Sequence, residues 1–227
     1  AMLVVAADEG FMPQTVEHLS ILSLLGVRGG AVVLTKCDLA DAETLALARG
    51  EIALRTAGTF LEGAPVVETS AATGEGIEEL RETLHELLRQ TLEKSVRLPF
   101  RLPIDRVFSV DGFGTVVTGT LIEGALRLGD ETELLPSGKR ARVRSLQIHG
   151  QSVETAYAGQ RAAVNLAGIG KAEVSRGETL AKPHSVRLSH LLDVRLSCLR
   201  ESARSIENGS RIHFCHGTAV QLAKVVL

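Results

Sequence analysis

The sequence is poor in cysteine and contains no long apolar run. Its 227 residues include three cysteines, Cys37, Cys198 and Cys215, which lie far apart and form no CxxC pair. This number and spacing argue against a disulfide scaffold and predict a reducing compartment, the cytoplasm. No apolar stretch reaches the roughly 18 residues that a transmembrane helix requires, so we expect no association with a membrane.

An overall excess of charge is also lacking, because the formal net charge is −2. A general attraction to nucleic acid or to acidic membranes is therefore not expected. The average conceals a division: residues 1–96 carry 15 acidic and 7 basic side chains, whereas residues 97–227 carry 12 acidic and 18 basic ones. This contrast indicates two parts with different partners.

Residues 1–95 have the hydrophobic pattern of an α/β domain. Short continuous apolar runs, typical of strands buried on both faces, alternate with segments whose apolar residues recur every three or four positions. This alternation predicts right-handed crossovers and a parallel sheet of three strands. The predicted strands are 2–7, 31–35 and 65–69, and the predicted helices are 14–26, 41–57 and 75–92.

Beyond residue 96, strand-like segments recur between glycine-rich turns. This spacing predicts a small antiparallel β-barrel over residues 97–184. Residues 185–227 contain further strand-like segments but are too few to close another barrel, so we interpret them as the N-terminal part of a second barrel. The predicted strands are 101–104, 115–122, 131–135, 141–149, 161–166, 188–199 and 211–227, the last interrupted by a turn at Gly217-Thr218.

Two polar motifs follow the second and third predicted strands. Thr35-Lys36-Cys37-Asp38 ends one strand, and Ser70-Ala71-Ala72 follows the next. An Asp at such a strand end can accept hydrogen bonds from N1 and N2 of guanine, a Lys stem can lie over the purine, and a backbone N–H at Ala71 can donate to O6. Adjacent carboxyl ends of parallel strands form a nucleotide crevice. The alternative for the first motif is a simple helix start.

The chain lacks the phosphate-binding motif G-x-x-x-x-G-K-[S/T]. The backbone cradle, the phosphate-reading Lys and the Mg²⁺-binding hydroxyl are therefore absent from these residues. We predict that the chain by itself does not hydrolyse GTP and binds the nucleotide weakly. No catalytic residue is predicted within it.

The order and spacing of four segments resemble the translational GTPase family that includes elongation factor Tu. Residues 8–19, 35–38 and 70–72 resemble the back half of its GTP-binding domain, and residues 105–120 resemble the opening of its second domain. The resemblance implies that residues 1–95 are the C-terminal part of a GTP-binding domain, that 97–184 are the aminoacyl-tRNA-binding barrel, and that 185–227 begin a third domain. It implies GTP as ligand, with Mg²⁺ in the full-length protein.

One departure from the usual motifs, together with a feature of the barrel, resembles the selenocysteine-specific branch of that family. The usual Asn-Lys-x-Asp begins here with Thr35, and Asp105-Arg106 precedes Val-Phe in the barrel. The resemblance implies a cytoplasmic, monomeric GTPase that delivers selenocysteinyl-tRNA to the ribosome at recoded stop codons. Such a factor also requires an mRNA hairpin, which the family reads through a C-terminal region that these residues do not include.

The same resemblance implies that Asp105, Arg106 and Arg161 hold the aminoacyl end of the tRNA. A selenol is an anion at neutral pH, whereas the serine hydroxyl stays neutral, so a pair of guanidinium groups favours selenocysteine. Asp105 can orient one arginine by a bidentate hydrogen bond. The alternative is that all three are rim charges in a surface salt bridge.

Two further groups of residues have candidate roles. Arg140, Arg142 and Arg144 share one face of a predicted strand, and this face either follows an RNA backbone or is simply solvated. His213 and Cys215 share a strand face while His216 points away, and no fourth ligand is near in sequence. We therefore expect a structural strand there and no metal site.

The remaining alternatives concern the kind of GTPase. One is another translational GTPase, such as elongation factor Tu or a carrier of initiator tRNA. Another is a non-translational GTPase subunit that uses the barrel to dock a protein. A third is a barrel without a ligand of its own.

Overall fold

The computed structural model describes residues 1–91, 94–110, 114–196 and 205–227. Among these, the chain divides into two compact units. The first contains residues 1–91 and Leu196, and the second contains residues 94–195 and 205–227. The predicted domain ranges 1–95, 97–184 and 185–227 remain predictions.

The first unit is a three-stranded parallel sheet with helices between its strands. The strands are β1 (Met2–Ala6), β2 (Ala31–Thr35) and β3 (Val66–Glu68), in the order β1-β2-β3. Val33 of β2 pairs with Val4 of β1 and Val67 of β3. The elements between and after them are α1 (Pro13–Leu24), a 3₁₀ helix (Cys37–Leu39), α2 (Ala42–Thr56) and α3 (Ile77–Arg89). The predicted α/β architecture is confirmed.

Local chemistry explains where the helices begin. Pro13 opens α1, where its fixed φ suits a helix and its missing N–H has no partner to lose. The Asp41 side chain caps α2 by accepting a hydrogen bond from the Thr44 N–H at 2.8 Å.

The core of this unit is formed by Leu3, Val5, Ala7, Leu19, Val32, Leu34, Ala48, Ile52 and Leu61. None of the described helices has the length and apolar character needed to cross a membrane.

The second unit contains a closed antiparallel barrel of six strands. Its strands are β4 (Arg101–Val110), β5 (Gly114–Thr120), β7 (Glu131–Leu135), β8 (Lys139–Ile148), β11 (Arg161–Ala167) and β12 (Thr179–Ala181). The order β11-β5-β4-β12-β7-β8 closes because β8 also pairs with β11. Three short strands flank it: β6 (Ala125–Arg127), β9 (Gln151–Val153) and β10 (Thr155–Tyr157). The predicted barrel is confirmed.

The inward faces of the barrel strands enclose a continuous apolar core. Its most buried members include Leu102, Ile104, Val117, Leu121, Leu126, Leu134, Ala156, Val164 and Leu180. In β4 the buried Leu102 and Ile104 alternate with Pro103 and Asp105, which are only partly buried. The Asp105 side chain therefore lies outside this core.

The C-terminal segment forms a hairpin against the barrel. Strands β13 (Arg211–His216) and β14 (Ala219–Lys224) are antiparallel and are joined at the predicted Gly217-Thr218 turn. The Thr218 hydroxyl donates a hydrogen bond to the Ile104 carbonyl at 2.7 Å. The predicted strand over 188–199 is wrong for its described part, because residues 188–196 are exposed and pair with no strand in the described portion of the chain. Residues 197–199 lie outside that portion.

Candidate functional sites

The first candidate site begins where β2 and β3 end. The backbone joins these two ends: the Thr69 N–H donates to the Leu34 carbonyl at 2.8 Å, and the Cys37 N–H donates to the Thr69 carbonyl at 3.2 Å. The segments that carry Asp38 and Ala71 therefore leave the sheet side by side. This is the arrangement that the parallel topology predicts for the carboxyl edge of a sheet.

Asp38 and the segment after Ser70 offer unoccupied hydrogen-bonding groups. The Asp38 side chain is exposed and has no hydrogen-bond or ion-pair partner among the described residues. The N–H groups of Ala71 and Ala72 likewise donate to no described residue. One carboxylate acceptor and two backbone donors can thus meet a base edge that carries both donors and an acceptor, as guanine does.

Ser70 shapes the turn rather than facing outward. Its side chain is fully buried, and its Oγ accepts a hydrogen bond from the Thr73 N–H at 3.1 Å. Its carbonyl accepts from the Gly74 N–H at 2.9 Å, and its N–H donates to the Glu75 carbonyl at 3.0 Å. Gly76 closes the turn at φ +70°, where an added Cβ would lie 1.8 Å from the Glu68 carbonyl oxygen. The turn is therefore fixed from both ends.

Lys36 is held by two acidic residues that the sequence analysis did not assign. Its backbone lies in the left-handed region at φ 58°, and its Nζ is 3.0 Å from both Asp8 Oδ2 and Glu9 Oε1. The hydrogen bond with Asp8, followed by that with Glu9, raises the pKa of Lys36 above its ordinary value. The sequence could have predicted this contact. In a parallel sheet the acidic pair that follows β1 lies beside the end of β2, where Lys36 is located.

Thr35 and Cys37 contribute to the frame of this site. The Thr35 hydroxyl donates to the Val5 carbonyl at 3.3 Å and so joins β2 to β1. The Cys37 thiol donates to the Leu34 carbonyl at 3.2 Å, and burial raises its pKa. Of the predicted guanine-binding residues, Asp38 and the Ala71 and Ala72 backbone are the ones with free polar groups.

The second candidate site lies on the barrel, across β4, β5 and β11. Asp105 and Arg161 form a bidentate ion pair, in which Arg161 Nη1 donates to Asp105 Oδ2 and Nη2 donates to Oδ1 at 2.9 Å. The Thr118 hydroxyl donates to the same Oδ1 at 2.7 Å. The predicted orientation of one arginine by Asp105 is thus present in the geometry, and Thr118 is an additional member.

Positive charges outnumber negative charges among Asp105, Arg106 and Arg161. The hydrogen bonds from Arg161 and Thr118, together with the charges of Arg161 and Arg106, hold the pKa of Asp105 below its ordinary value, with Arg161 the largest contributor. Arg106 is exposed and has no hydrogen-bond partner among the described residues. Two guanidinium groups and one carboxylate leave a net positive charge, and Arg106 is the unpaired cation.

The three arginines of β8 form a line of exposed cations, which we call the arginine stripe (Arg140, Arg142 and Arg144). They alternate with the buried Ala141 and Val143. Arg142 Nε donates to the Gly129 carbonyl at 2.9 Å, and Arg140 Nη2 is 2.8 Å from His184 Nε2. Arg144 has no partner within the described part of the chain. The stripe is available to a polyanion, and its role remains a prediction.

Comparisons with known proteins match parts of both compact units. The family model described as elongation factor Tu GTP binding domain matches residues 1–90, and the model described as elongation factor Tu domain 2 matches residues 114–181. A curated selenocysteine-specific elongation factor from Desulfomicrobium baculatum is 51% identical over 224 residues, which cover 99% of this chain and 35% of the relative. The chain therefore combines part of an elongation factor Tu GTP-binding domain with an elongation factor Tu domain 2, and over nearly its whole length it is similar to a selenocysteine-specific elongation factor.

Solved structures of selenocysteine-specific elongation factors have the same fold. The crystal structure of a bacterial selenocysteine-specific elongation factor, EF-Sec, matches with a TM-score of 0.86 at 33% identity, over 100% of this chain and 38% of that one. Translation elongation factor SelB from Methanococcus maripaludis, in complex with the GTP analogue GppNHp, matches with a TM-score of 0.86 at 28% identity, over 98% and 50%. The chain spans about a third of the length of its curated selenocysteine-specific relative.

Because residues 1–90 match a GTP-binding domain, the fit of the first site to the guanine base can be examined. The residues present fit the guanine base, because Asp38 supplies an unpaired acceptor and the turn after Ser70 supplies unpaired donors. The motif that would hold the phosphates and Mg²⁺ is not among these 227 residues.

Proposed function

We propose that the whole protein is a GTP-dependent elongation factor that delivers selenocysteinyl-tRNA to the ribosome at recoded stop codons. In this proposal the first unit recognises guanine and the barrel holds the aminoacyl end of the tRNA. The observation that carries it is the cationic group on the barrel, where Asp105 pairs with Arg161 and leaves Arg106 unpaired. The identity with selenocysteine-specific relatives supports the same assignment.

Selenocysteine would be distinguished by the charge at its tip. A selenolate gains Coulomb energy from an unpaired guanidinium, whereas a neutral serine hydroxyl gains a hydrogen bond only. Two unit charges at 4 Å interact by about 4 kcal/mol near a protein surface and by about 1 kcal/mol in water. Since Arg106 is exposed, a value near the lower figure is appropriate, and 1.4 kcal/mol corresponds to a tenfold preference.

Guanine would be recognised by three groups of the first unit. The Asp38 carboxylate accepts from N1–H and the N2 amino group, and the Ala71 N–H donates to O6. Adenine has an acceptor where guanine has the N1 donor, so the carboxylate excludes it. Lys36, with its ammonium held by Asp8 and Glu9, would lay its methylene stem along the purine face.

The proposal includes partners beyond these residues. The ribosome is the site of delivery, an mRNA hairpin is read through a C-terminal region of the whole protein, and the factor acts as a monomer in the cytoplasm. GTP hydrolysis, with Mg²⁺ at the phosphates, releases the tRNA. The 227-residue chain alone should not hydrolyse GTP and should bind it weakly. Micromolar or tighter GTP affinity of this chain by calorimetry would refute the weak binding.

The proposed specificity is tested by competition on the whole protein in its GTP state. Selenocysteinyl-, cysteinyl- and seryl-tRNA are compared for binding to it. We expect the selenocysteinyl form to bind most tightly, because it is the one with a fully ionised tip at neutral pH. Equal affinities would favour an elongation factor Tu-like carrier. Binding of a protein partner without any retention of RNA would favour a docking barrel.

A further inference from the structure

A threonine hydroxyl lies at the centre of the charged group on the barrel. Thr118 Oγ1 donates a hydrogen bond to Asp105 Oδ1 at 2.7 Å and accepts one from Arg161 Nη2 at 3.3 Å. It therefore touches both members of the ion pair. Thr118 is half-buried on β5, between the strands that carry Asp105 and Arg161.

An irregularity of β4 brings Asp105 to this hydroxyl. Ile104 pairs with Gly119 and Arg106 pairs with Thr118, so Asp105 is an extra residue without a register partner of its own. A β-bulge of this kind bends the strand and redirects its side chains. Asp105 has no register partner in β5, and its carboxylate is held by its side-chain contacts to Thr118 and Arg161.

The Thr118 hydroxyl also limits which N–H donors of Arg161 remain free for a ligand. A guanidinium has five N–H donors, and three of them are engaged, two by Asp105 and one by Thr118. The two remaining donors have no partner in the described portion of the chain and are available to a ligand. Rotation of the Asp105 carboxylate would change which donors remain free.

We infer that Thr118 is a positioning residue for the aminoacyl site: it fixes the Asp105 carboxylate, and thereby sets which edge of Arg161 faces the tip of the bound amino acid. This inference rests on the proposed function. Thr118 acts through Asp105, since its hydroxyl lies on the carboxylate that pairs with Arg161. The ligand is an anionic amino-acid side chain, and the cation beside it is Arg106.

The test uses the whole protein in its GTP state and the variants Thr118→Val and Thr118→Ser. Valine keeps the shape of threonine without the hydroxyl, and serine restores the hydroxyl. The matched control is Thr120→Val on the same strand, because Thr120 is also half-buried and its hydroxyl has no partner among the described residues. The readout is the affinity ratio of selenocysteinyl- to seryl-tRNA, with uncharged tRNA as the measure of intact folding.

We expect Thr118→Val to lower the ratio about threefold, which is most of the roughly fivefold preference expected for an exposed Arg106. Thr118→Ser and Thr120→Val should keep the wild-type ratio, and binding of uncharged tRNA should be unchanged in all three. An unchanged ratio in Thr118→Val overturns the inference alone, as does a loss that serine does not restore. A wild-type protein without preference overturns the proposed function and the inference together.

A double-mutant cycle with Asp105→Asn gives a second readout. If Thr118 acts through the Asp105 carboxylate, Thr118→Val should change the ratio little once that carboxylate is absent. Effects of the two substitutions that simply add would show that Thr118 acts independently and would overturn the inference. This cycle remains decisive even if Thr118→Val lowers the stability of the barrel.

Discussion

The turn that carries the Ala71 and Ala72 N–H groups depends on Gly76, and the substitution Gly76→Ala tests this dependence. Gly76 has φ +70°, and an added Cβ would lie 1.8 Å from the Glu68 carbonyl oxygen. Gly74 in the same turn is a matched control, because its φ is +81° but nothing lies within 4 Å of an added Cβ. The two substitutions thus share the backbone strain and differ in the steric clash.

The expected loss of unfolding free energy in each variant follows from the backbone strain and the steric clash. A left-handed alanine costs about 1–2 kcal/mol, and loss of glycine from the unfolded chain offsets about 0.4–1 kcal/mol of that. Gly74→Ala should therefore destabilise by about 1 kcal/mol. Gly76→Ala adds an overpacking cost of about 1–3 kcal/mol, because the Glu68 backbone belongs to β3 and cannot move freely.

The assay is equilibrium urea unfolding of the chain, with GTP affinity measured on the whole protein. We expect Gly76→Ala to be less stable than Gly74→Ala by at least about 1 kcal/mol and to bind GTP more weakly. Equal stability of the two variants would refute the reasoning, because it would show that the turn does not need the close approach to Glu68.

Two further predictions concern the barrel. Replacing the arginine stripe with serine should weaken tRNA binding by the whole protein. The slope of log affinity against log salt concentration should become shallower by about 2 to 3, because each phosphate contact contributes about 0.7–0.9 to it. An unchanged affinity and slope would show that the stripe does not contact the tRNA. Arg161 is the main group that lowers the pKa of Asp105 in the folded state. The ionised carboxylate therefore stabilises the fold at pH values above the ordinary aspartate pKa. This stabilisation is lost as the pH falls through the lowered, folded-state pKa. Urea unfolding at about pH 6 and about pH 3 should therefore show a smaller acid-induced loss for Asp105→Asn than for wild type, and equal losses would contradict the assignment.

Much of the fold was predictable because hydrophobic periodicity and burial are directly related. The continuous apolar run in β2 is buried throughout, and the period-two pattern of the arginine stripe matches its exposure. The segment 188–196 shows the limit of this relation. Its apolar residues suggested a strand, but a strand requires a neighbour to accept its backbone hydrogen bonds, and sequence periodicity does not report whether one is present.

The candidate sites were predictable where a motif places a residue at a strand end, as for Asp38 and Ala71. The support around them was not predictable in the same way. The acidic pair that follows β1 can be placed near Lys36 from the parallel topology alone, but Thr118 reaches Asp105 because β4 contains a bulge. Such contacts depend on register between strands that are distant in sequence, which a single sequence does not encode locally.

We propose that the barrel senses the charge of the amino-acid tip, and the pH dependence of the tRNA preference tests this proposal. The affinity ratio of selenocysteinyl- to seryl-tRNA is measured on the whole protein from neutral pH to below the pKa of the selenol, for wild type and for Arg106→Gln. We expect the wild-type preference to decline as the selenol becomes protonated, and the preference of Arg106→Gln to be weak at every pH. A preference that persists for the protonated selenol, or that survives the loss of Arg106, would contradict it.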